Sequence, residues 1–286
     1  MTIIKQCIIF ITTSVLVCNV FIMPETACPP KEWILPSRNK GSYSIQSVEN
    51  ALDVLEALCE EDDEVRISRL SEKLKMNKTS VFRLLATFES RGYVERKKDS
   101  GKYRLGLSAY EIGQKLISRM GLIKHAHPVM ERLARKFDEA VYIAVPRGDE
   151  ILFLDMVDTS QQVKIVPLIG KRFPQPTTAP GQVIMANRPM AAPAEATPEM
   201  KSRLNRINQN GYACETGGLG DGICCLAVPL FATDGELSGC LCLVGPDFRI
   251  TSEKIEAELL PNLRETGNII SSKLGFHSSY ITRRIS

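Results

Sequence analysis

Residues Val65–Leu105 read VRISRLSEKLKMNKTSVFRLLATFESRGYVERKKDSGKYRL. Two short amphipathic helices, a tight turn and a basic hairpin follow one another, the order of a winged helix-turn-helix. Ser68 is expected to cap the first helix, whose Leu70 and Leu74 face inward. Met76-Asn77 make the turn. The second helix is expected from Lys78 to Ser90. Its Val81, Leu84, Leu85 and Phe88 fall at the i, i+3, i+4, i+7 spacing of a core-facing stripe, with Gly92 just past the end. The opposite face carries Lys78, Thr79, Ser80, Arg83 and Thr87. Side chains near the start of a recognition helix reach base edges. Arg83 suits a guanine, Thr79 and Ser80 a base or a phosphate, Lys78 a phosphate. Ser68 and Thr87 complete that expected contact set.

The hairpin pairs Val94-Glu95-Arg96 with Tyr103-Arg104-Leu105 across the turn Lys97–Lys102, which has Ser100-Gly101 at its tip. Lys97, Lys98 and Lys102 are placed to grip phosphates. Any of these residues alone reads as a solvated surface group; the order helix, turn, helix, wing favours DNA. Charge agrees. From Arg66 to Arg104 there are 12 Lys/Arg and 4 Asp/Glu, whereas the whole chain is only +3. A basic block on an otherwise slightly acidic protein marks a phosphate-binding face. Ahead of it, Ser44 or Ser47 caps a further helix with Val48, Leu52, Leu55 and Cys59 on one side.

Tyr43–Leu58 (YSIQSVENALDVLEAL), KTSVFRLLATFESRGYVER, KYRLG and GLSAYEIG together resemble the IclR family of bacterial transcription regulators. The likeness runs to about Phe276. It implies an α+β chain: an N-terminal winged helix-turn-helix joined by a linker helix to a GAF-like effector-binding domain with a mostly antiparallel sheet. The expected division is 1–42 apolar segment and linker, 43–106 DNA-binding domain, 107–121 linker helix, 122–276 effector-binding domain and 277–286 tail.

The second half supports that division. Leu107–Met120 and His125–Phe137 read as helices. Val141–Val145 and Ile151–Met156 form a hairpin around Arg147–Glu150, Gln162–Leu168 reads as a strand, and Ile223–Phe231 with Glu236–Val244 make a second hairpin before a closing helix, Ser252–Leu274. The resemblance implies a pocket for a small organic acid at three segments. Thr177, Thr178, Ala179, Pro180 and Gly181 open a helix whose N–H groups suit a carboxylate; Glu215 precedes a glycine-rich loop and Cys225 follows it; Cys242 and Val244 share one strand face. The family commonly has a bulkier apolar residue at 180, Lys at 182, an acid at 218 and serines at 242 and 244. Pro180, Gln182, Gly218, Cys242 and Val244 make the expected pocket less polar, which favours an apolar-bodied or aromatic acid.

Composition excludes other classes. Only three histidines are present, and no Gly-x-Ser-x-Gly or phosphate-loop motif occurs, so no enzyme and no cofactor are expected. Nine cysteines without Cys-x-x-Cys knuckles read as reduced, mostly apolar thiols of a cytoplasmic protein, with no metal site. A thiol or metal redox sensor built on Cys214, Cys224, Cys225, Cys240 and Cys242 is the weaker alternative. Cys7–Met23 (CIIFITTSVLVCNVFIM) is apolar but short for a membrane span. Its leading reading is translation starting at Met23 or later; a membrane-tethered DNA-binding sensor comes second and secretion last. The expected partners are operator half-sites in double-stranded DNA, the effector, a second copy in a dimer or tetramer, and RNA polymerase.

Overall fold

The computed structural model describes residues 44–61, 64–188 and 197–276. The apolar stretch Cys7–Met23 and the tail 277–286 lie outside these residues. No helix among the described residues is long and apolar enough to cross a membrane.

The first three helices are α1 (Gln46–Cys59), α2 (Ile67–Leu74) and α3 (Lys78–Ser90), followed by the hairpin β1 (Val94–Arg96) and β2 (Tyr103–Leu105). Contacts within the chain fall into two units, one of the described residues up to Ala86 with Lys97–Tyr103, the other of Thr87–Arg96 with the residues from Arg104 onward. The first unit buries Val54, Ala57, Leu58, Val65, Leu70, Val81, Leu85 and Tyr103. Val65 exchanges two backbone hydrogen bonds of 2.8 Å with Tyr103, which adds a one-residue third strand to the wing.

Three local expectations are corrected. Neither Ser44 nor Ser47 caps α1: the capping position is Ile45, without a side-chain bond. Ser68 lies inside α2, whose cap is Arg66. The side-chain cap appears instead at α3, where Asn77 Oδ1 accepts the Ser80 N–H at 2.7 Å. The stripe chosen on α1 also differs, because that helix is apolar on two sides. Val54, Ala57 and Leu58 are buried, while Val48, Leu52 and Cys59 are exposed.

The remaining chain is α4 (Leu107–Arg119), α5 (Gly121–Phe137), β3 (Ala140–Arg147), β4 (Glu150–Val157), β5 (Arg172–Pro174), α6 (Ala179–Asn187), α7 (Pro198–Asn210), β6 (Ala213–Gly217), β7 (Gly220–Phe231), β8 (Leu237–Pro246), and a closing helix. That helix comprises α8 (Ser252–Lys254), a π turn at Ile255–Leu259 and α9 (Leu260–Lys273). The sheet order is β5-β4-β3-β8-β7-β6, with antiparallel pairing throughout. Gln162–Leu168 is not a strand. Its β-branched residues suggest one, but Val163 and Val166 are exposed and only Ile165 and Leu168 pack inward, so nothing pairs with it. The edge strand beside β4 is β5 instead. Helix α7 was not foreseen: it buries only Leu204 and Ile207, and its markers are the Thr197 cap and Gly211 in the left-handed conformation.

The two faces of the sheet differ. One packs Val141, Ile143, Leu226, Val228, Leu241 and Leu243 with residues of α5 and α9. The other packs smaller residues, among them Ala140, Ala144, Ala227, Cys225, Cys240 and Cys242, with Val183 and Ile184 of α6. Register aligns Ala213, Ala227, Cys242, Tyr142 and Met156 in one row across five strands on this second face. Beside the sheet, Glu139 is 1% exposed and receives two hydrogen bonds from Arg249, at 2.7 and 2.8 Å, while Arg249 also donates to the Val163 carbonyl at 2.8 Å. Removing the guanidinium would strand a buried carboxylate. Arg249→Ala is therefore expected to cost roughly 3 kcal/mol in urea unfolding; a loss within experimental error would show that the pair carries no stability.

Candidate nucleic-acid interface and effector site

On α3, Lys78, Thr79, Arg83 and Thr87 are exposed and Ser80 is half-buried, its N–H held by Asn77. Thr79, Arg83 and Thr87 recur every four residues and so line one side of the helix. Phe82, 46% exposed, lies between them and belongs to neither the apolar stripe nor the polar set that the sequence spacing defines. Ser68 is half-buried on α2.

The wing carries Lys98 exposed and Lys102 half-buried. Lys97 is tied to Glu64 at 3.1 Å, and this contact is the main reason the Glu64 carboxyl lies below its usual range. Two further bonds repeat the pattern: Arg69 meets Glu61 at 2.7 Å, and Lys73 meets Glu60 at 3.0 Å. All three acids come from the run Glu60-Glu61-Asp62-Asp63-Glu64 immediately before the basic block. Counted from Glu60 to Arg104, the local net is +3 rather than +8.

The expected effector residues gather on the small-residue face. Thr178, Ala179, Pro180, Gly181, Cys225, Cys242 and Val244 are buried, Glu215 is half-buried and Thr177 is exposed. Cys225 stands opposite Val244 and Glu215 opposite Cys225 in the register. Two glycines permit this crowding. A Cβ on Gly181 would lie 2.2 Å from the Gln175 carbonyl oxygen, and one on Gly218 would lie 1.9 Å from that of Thr177. The Gly218 N–H is shared by both Glu215 oxygens at 2.8 Å, while burial raises the Glu215 pKa.

The start of α6 is less open to an anion than its sequence suggests. The Thr178 hydroxyl donates to the Pro174 carbonyl at 3.0 Å and accepts the Gly181 N–H at 3.3 Å. Gln182 N–H bonds the Thr178 carbonyl and Pro180 has no N–H, which leaves Ala179 as the remaining first-turn donor. Two other polar atoms are buried without a hydrogen bond: the Tyr142 hydroxyl and Gln182 Oε1. Burial pushes the Tyr142 pKa up to about 12, while the Leu168 backbone, near the hydroxyl but outside hydrogen-bonding geometry, lowers it. Tyr142 was not singled out from the sequence, although a lone tyrosine amid AVYIAV is a signal of a buried polar group.

The buried cysteines behave as apolar residues. The contact with Cys242 and burial push the Cys225 thiol well up, burial pushes Cys240 well up, and burial also raises Cys242. No cluster of three or more His, Cys, Asp or Glu among the described residues could hold a metal.

Comparison with known proteins fits this arrangement. The IclR helix-turn-helix domain matches residues 47–98, and the bacterial transcriptional regulator IclR C-terminal domain matches residues 114–272. The chain belongs to the IclR family of transcription regulators. The HTH-type transcriptional regulator KdgR of Dickeya chrysanthemi is 30% identical over 255 residues, 84% of this chain and 83% of that one. The crystal structure of Thermotoga maritima IclR has a TM-score of 0.64 at 26% identity, covering 82% of this chain and all of that one (100%). An IclR homologue from Microbacterium hydrocarbonoxydans, solved with 4-hydroxybenzoate, has a TM-score of 0.68 at 22% identity, with 80% and 98% covered. The KdgR relatives are HTH-type transcriptional regulators, and in this chain the helix-turn-helix match precedes the C-terminal one.

The tight Gly218–Thr177 approach makes a direct prediction. Gly218→Ala should destabilise the protein by about 1–3 kcal/mol through overpacking alone, since Gly218 is not in the left-handed region. Thermal unfolding unchanged from wild type would show that β6 and α6 are not so closely apposed.

Proposed function

We propose that this IclR regulator reads operator half-sites as a homodimer in the cytoplasm and answers to a small organic acid with an apolar, aromatic-sized body. The acid would bind between the start of α6 and the small-residue face of the sheet. The observation that carries the effector reading is the pair of buried polar atoms without partners, the Tyr142 hydroxyl and Gln182 Oε1. Such atoms cost stability unless something bonds them. The Ala179 N–H offers a donor to a carboxylate, and the 4-hydroxybenzoate held by the M. hydrocarbonoxydans homologue is an acid of this class.

Dimerisation is supported by α4, which buries none of its residues although it carries Leu107, Tyr110, Ile112, Leu116 and Ile117. A second copy covering that apolar surface would also supply the paired half-sites that one small module needs. Effector control then acts by population shift between arrangements with different operator affinity. On the DNA face, Thr79, Phe82, Arg83 and Thr87 read bases, and Lys78 and Lys98 meet phosphate, with Ser68, Ser80, Lys97 and Lys102 in support.

Genome-wide mapping of bound DNA, with and without aromatic acids, tests the whole reading. In purified protein, Arg83→Ala is expected to weaken specific sites by about 1–3 kcal/mol and random DNA little, whereas Lys98→Ala should weaken both. Equal losses for Arg83→Ala would remove its base-reading role. Calorimetry against 4-hydroxybenzoate and glyoxylate tests the effector class; binding of glyoxylate alone would defeat it. Tyr142→Phe should weaken the aromatic acid about tenfold while leaving unliganded stability equal or higher, because it deletes an unsatisfied hydroxyl.

A further inference from the structure

The geometry points to a dithiol at Cys214 and Cys224 that hydroperoxides convert to a disulfide, and whose closure shifts the β6–β7 loop against α6. The two Sγ atoms lie 3.8 Å apart on neighbouring strands. Cys214 is paired in register with Leu226, two positions along from Cys224, so the cysteines are diagonal neighbours on the side of the sheet away from Tyr142. Accessibility separates this pair from the other one. Cys225 and Cys242 are fully buried, whereas Cys214 is only half-buried and meets solvent. Electrostatics adds support. The contact with Cys214, helped by the Thr216 side chain, lowers the Cys224 thiol below its ordinary value, against burial and the charges of Glu215 and Asp247.

The chemistry balances with a hydroperoxide as oxidant. Its O–O bond breaks as the Cys224 thiolate takes the outer oxygen, giving a sulfenic acid and releasing an alcohol, or water from hydrogen peroxide. The Cys214 thiol then attacks the Cys224 sulfur, the S–S bond forms, and the sulfenic hydroxyl leaves with the thiol proton as water. The two thiols supply two electrons, and a dithiol reductant reverses the step.

Bond formation requires movement. Diagonal neighbours across antiparallel strands stand about 7–8 Å apart at Cα, beyond the roughly 4.4–6.8 Å that a disulfide spans. The strand free to slide is β6, the edge of the sheet, five residues long and hydrogen-bonded on one side only. It carries Glu215 and leads into Gly218, whose backbone leaves no room for a Cβ beside Thr177. A slide of β6 is therefore transmitted to the start of α6. That consequence rests on the effector site proposed above, whereas the disulfide itself does not.

The test uses the full-length reduced protein, treated natively with hydrogen peroxide and mapped by non-reducing peptide mass spectrometry. The expected product is a Cys214–Cys224 linked peptide that dithiothreitol releases, with Cys225 and Cys242 unmodified. Cys214→Ser should abolish the link and leave Cys224 thiol or over-oxidised. Absence of the link in wild type, or linkage through Cys225 and Cys242 instead, overturns the dithiol. Amide exchange over Thr177–Gln182 should change severalfold on oxidation and return on reduction; unchanged exchange in cross-linked protein overturns the coupling. Because the wild-type map needs no variant, a misfolded Cys214→Ser protein does not blunt the result. Failure of the reduced protein to bind any organic acid, with the link present, would count against the effector reading alone.

Discussion

The C-terminal half depends on one constraint: a six-stranded sheet whose two faces are both covered, by residues of unlike size. Strands buried on both sides lose the alternation of apolar and polar residues and become continuous apolar runs. That is why β7 and β8 contain ICCLAV and LCLV. On the α5 and α9 side, Leu, Ile and Val fill the space between sheet and helices. On the α6 side, alanines and cysteines do, and the chain leading into the helix is packed so tightly that Gly181 has no room for a methyl group beside Gln175. Cysteine is thus used here as a small, weakly polar filler. The Tyr142 hydroxyl and Gln182 Oε1 are buried without a hydrogen bond.

Legibility in the sequence followed the strength of each periodic signal. Helix α3 was readable to the residue because Val81 and Leu85 form an uninterrupted stripe and Gly92 closes it. Helix α1 was readable as a helix but not by its face, since apolar residues surround it and only tertiary packing selects Val54, Ala57 and Leu58. Helix α7 was hidden by its polarity, with two buried residues in thirteen. Gln162–Leu168 misled because β-branched residues favour strands, yet a strand exists only where a neighbour offers hydrogen bonds. The two hairpins of the sheet were legible from Arg147–Glu150 and Ala232–Gly235.

The candidate effector site was half legible. Family likeness placed Thr177–Gly181, Glu215, Cys225, Cys242 and Val244 in one neighbourhood, and the register brings the strand residues among them to one face. The hydrogen-bond ledger of the α6 start was not legible. Whether Thr178 is a ligand donor or a helix cap depends on where Pro174 and Gly181 lie, and that is settled by folding. The contribution of Tyr142 likewise depends on register, which sets it beside Cys242 and Met156.

The acidic run ahead of the basic block gives the DNA-binding module an unusual electrostatic economy. DNA binding draws much of its favourable free energy from mobile ions released by the polymer as lysines and arginines replace them. Here Glu60, Glu61 and Glu64 already sit on Lys73, Arg69 and Lys97. They are counterions covalently attached to the protein. Were phosphate to displace them they would remain tethered, and no translational entropy would be gained at the protein's side of the exchange. Attraction to any stretch of DNA would be correspondingly muted.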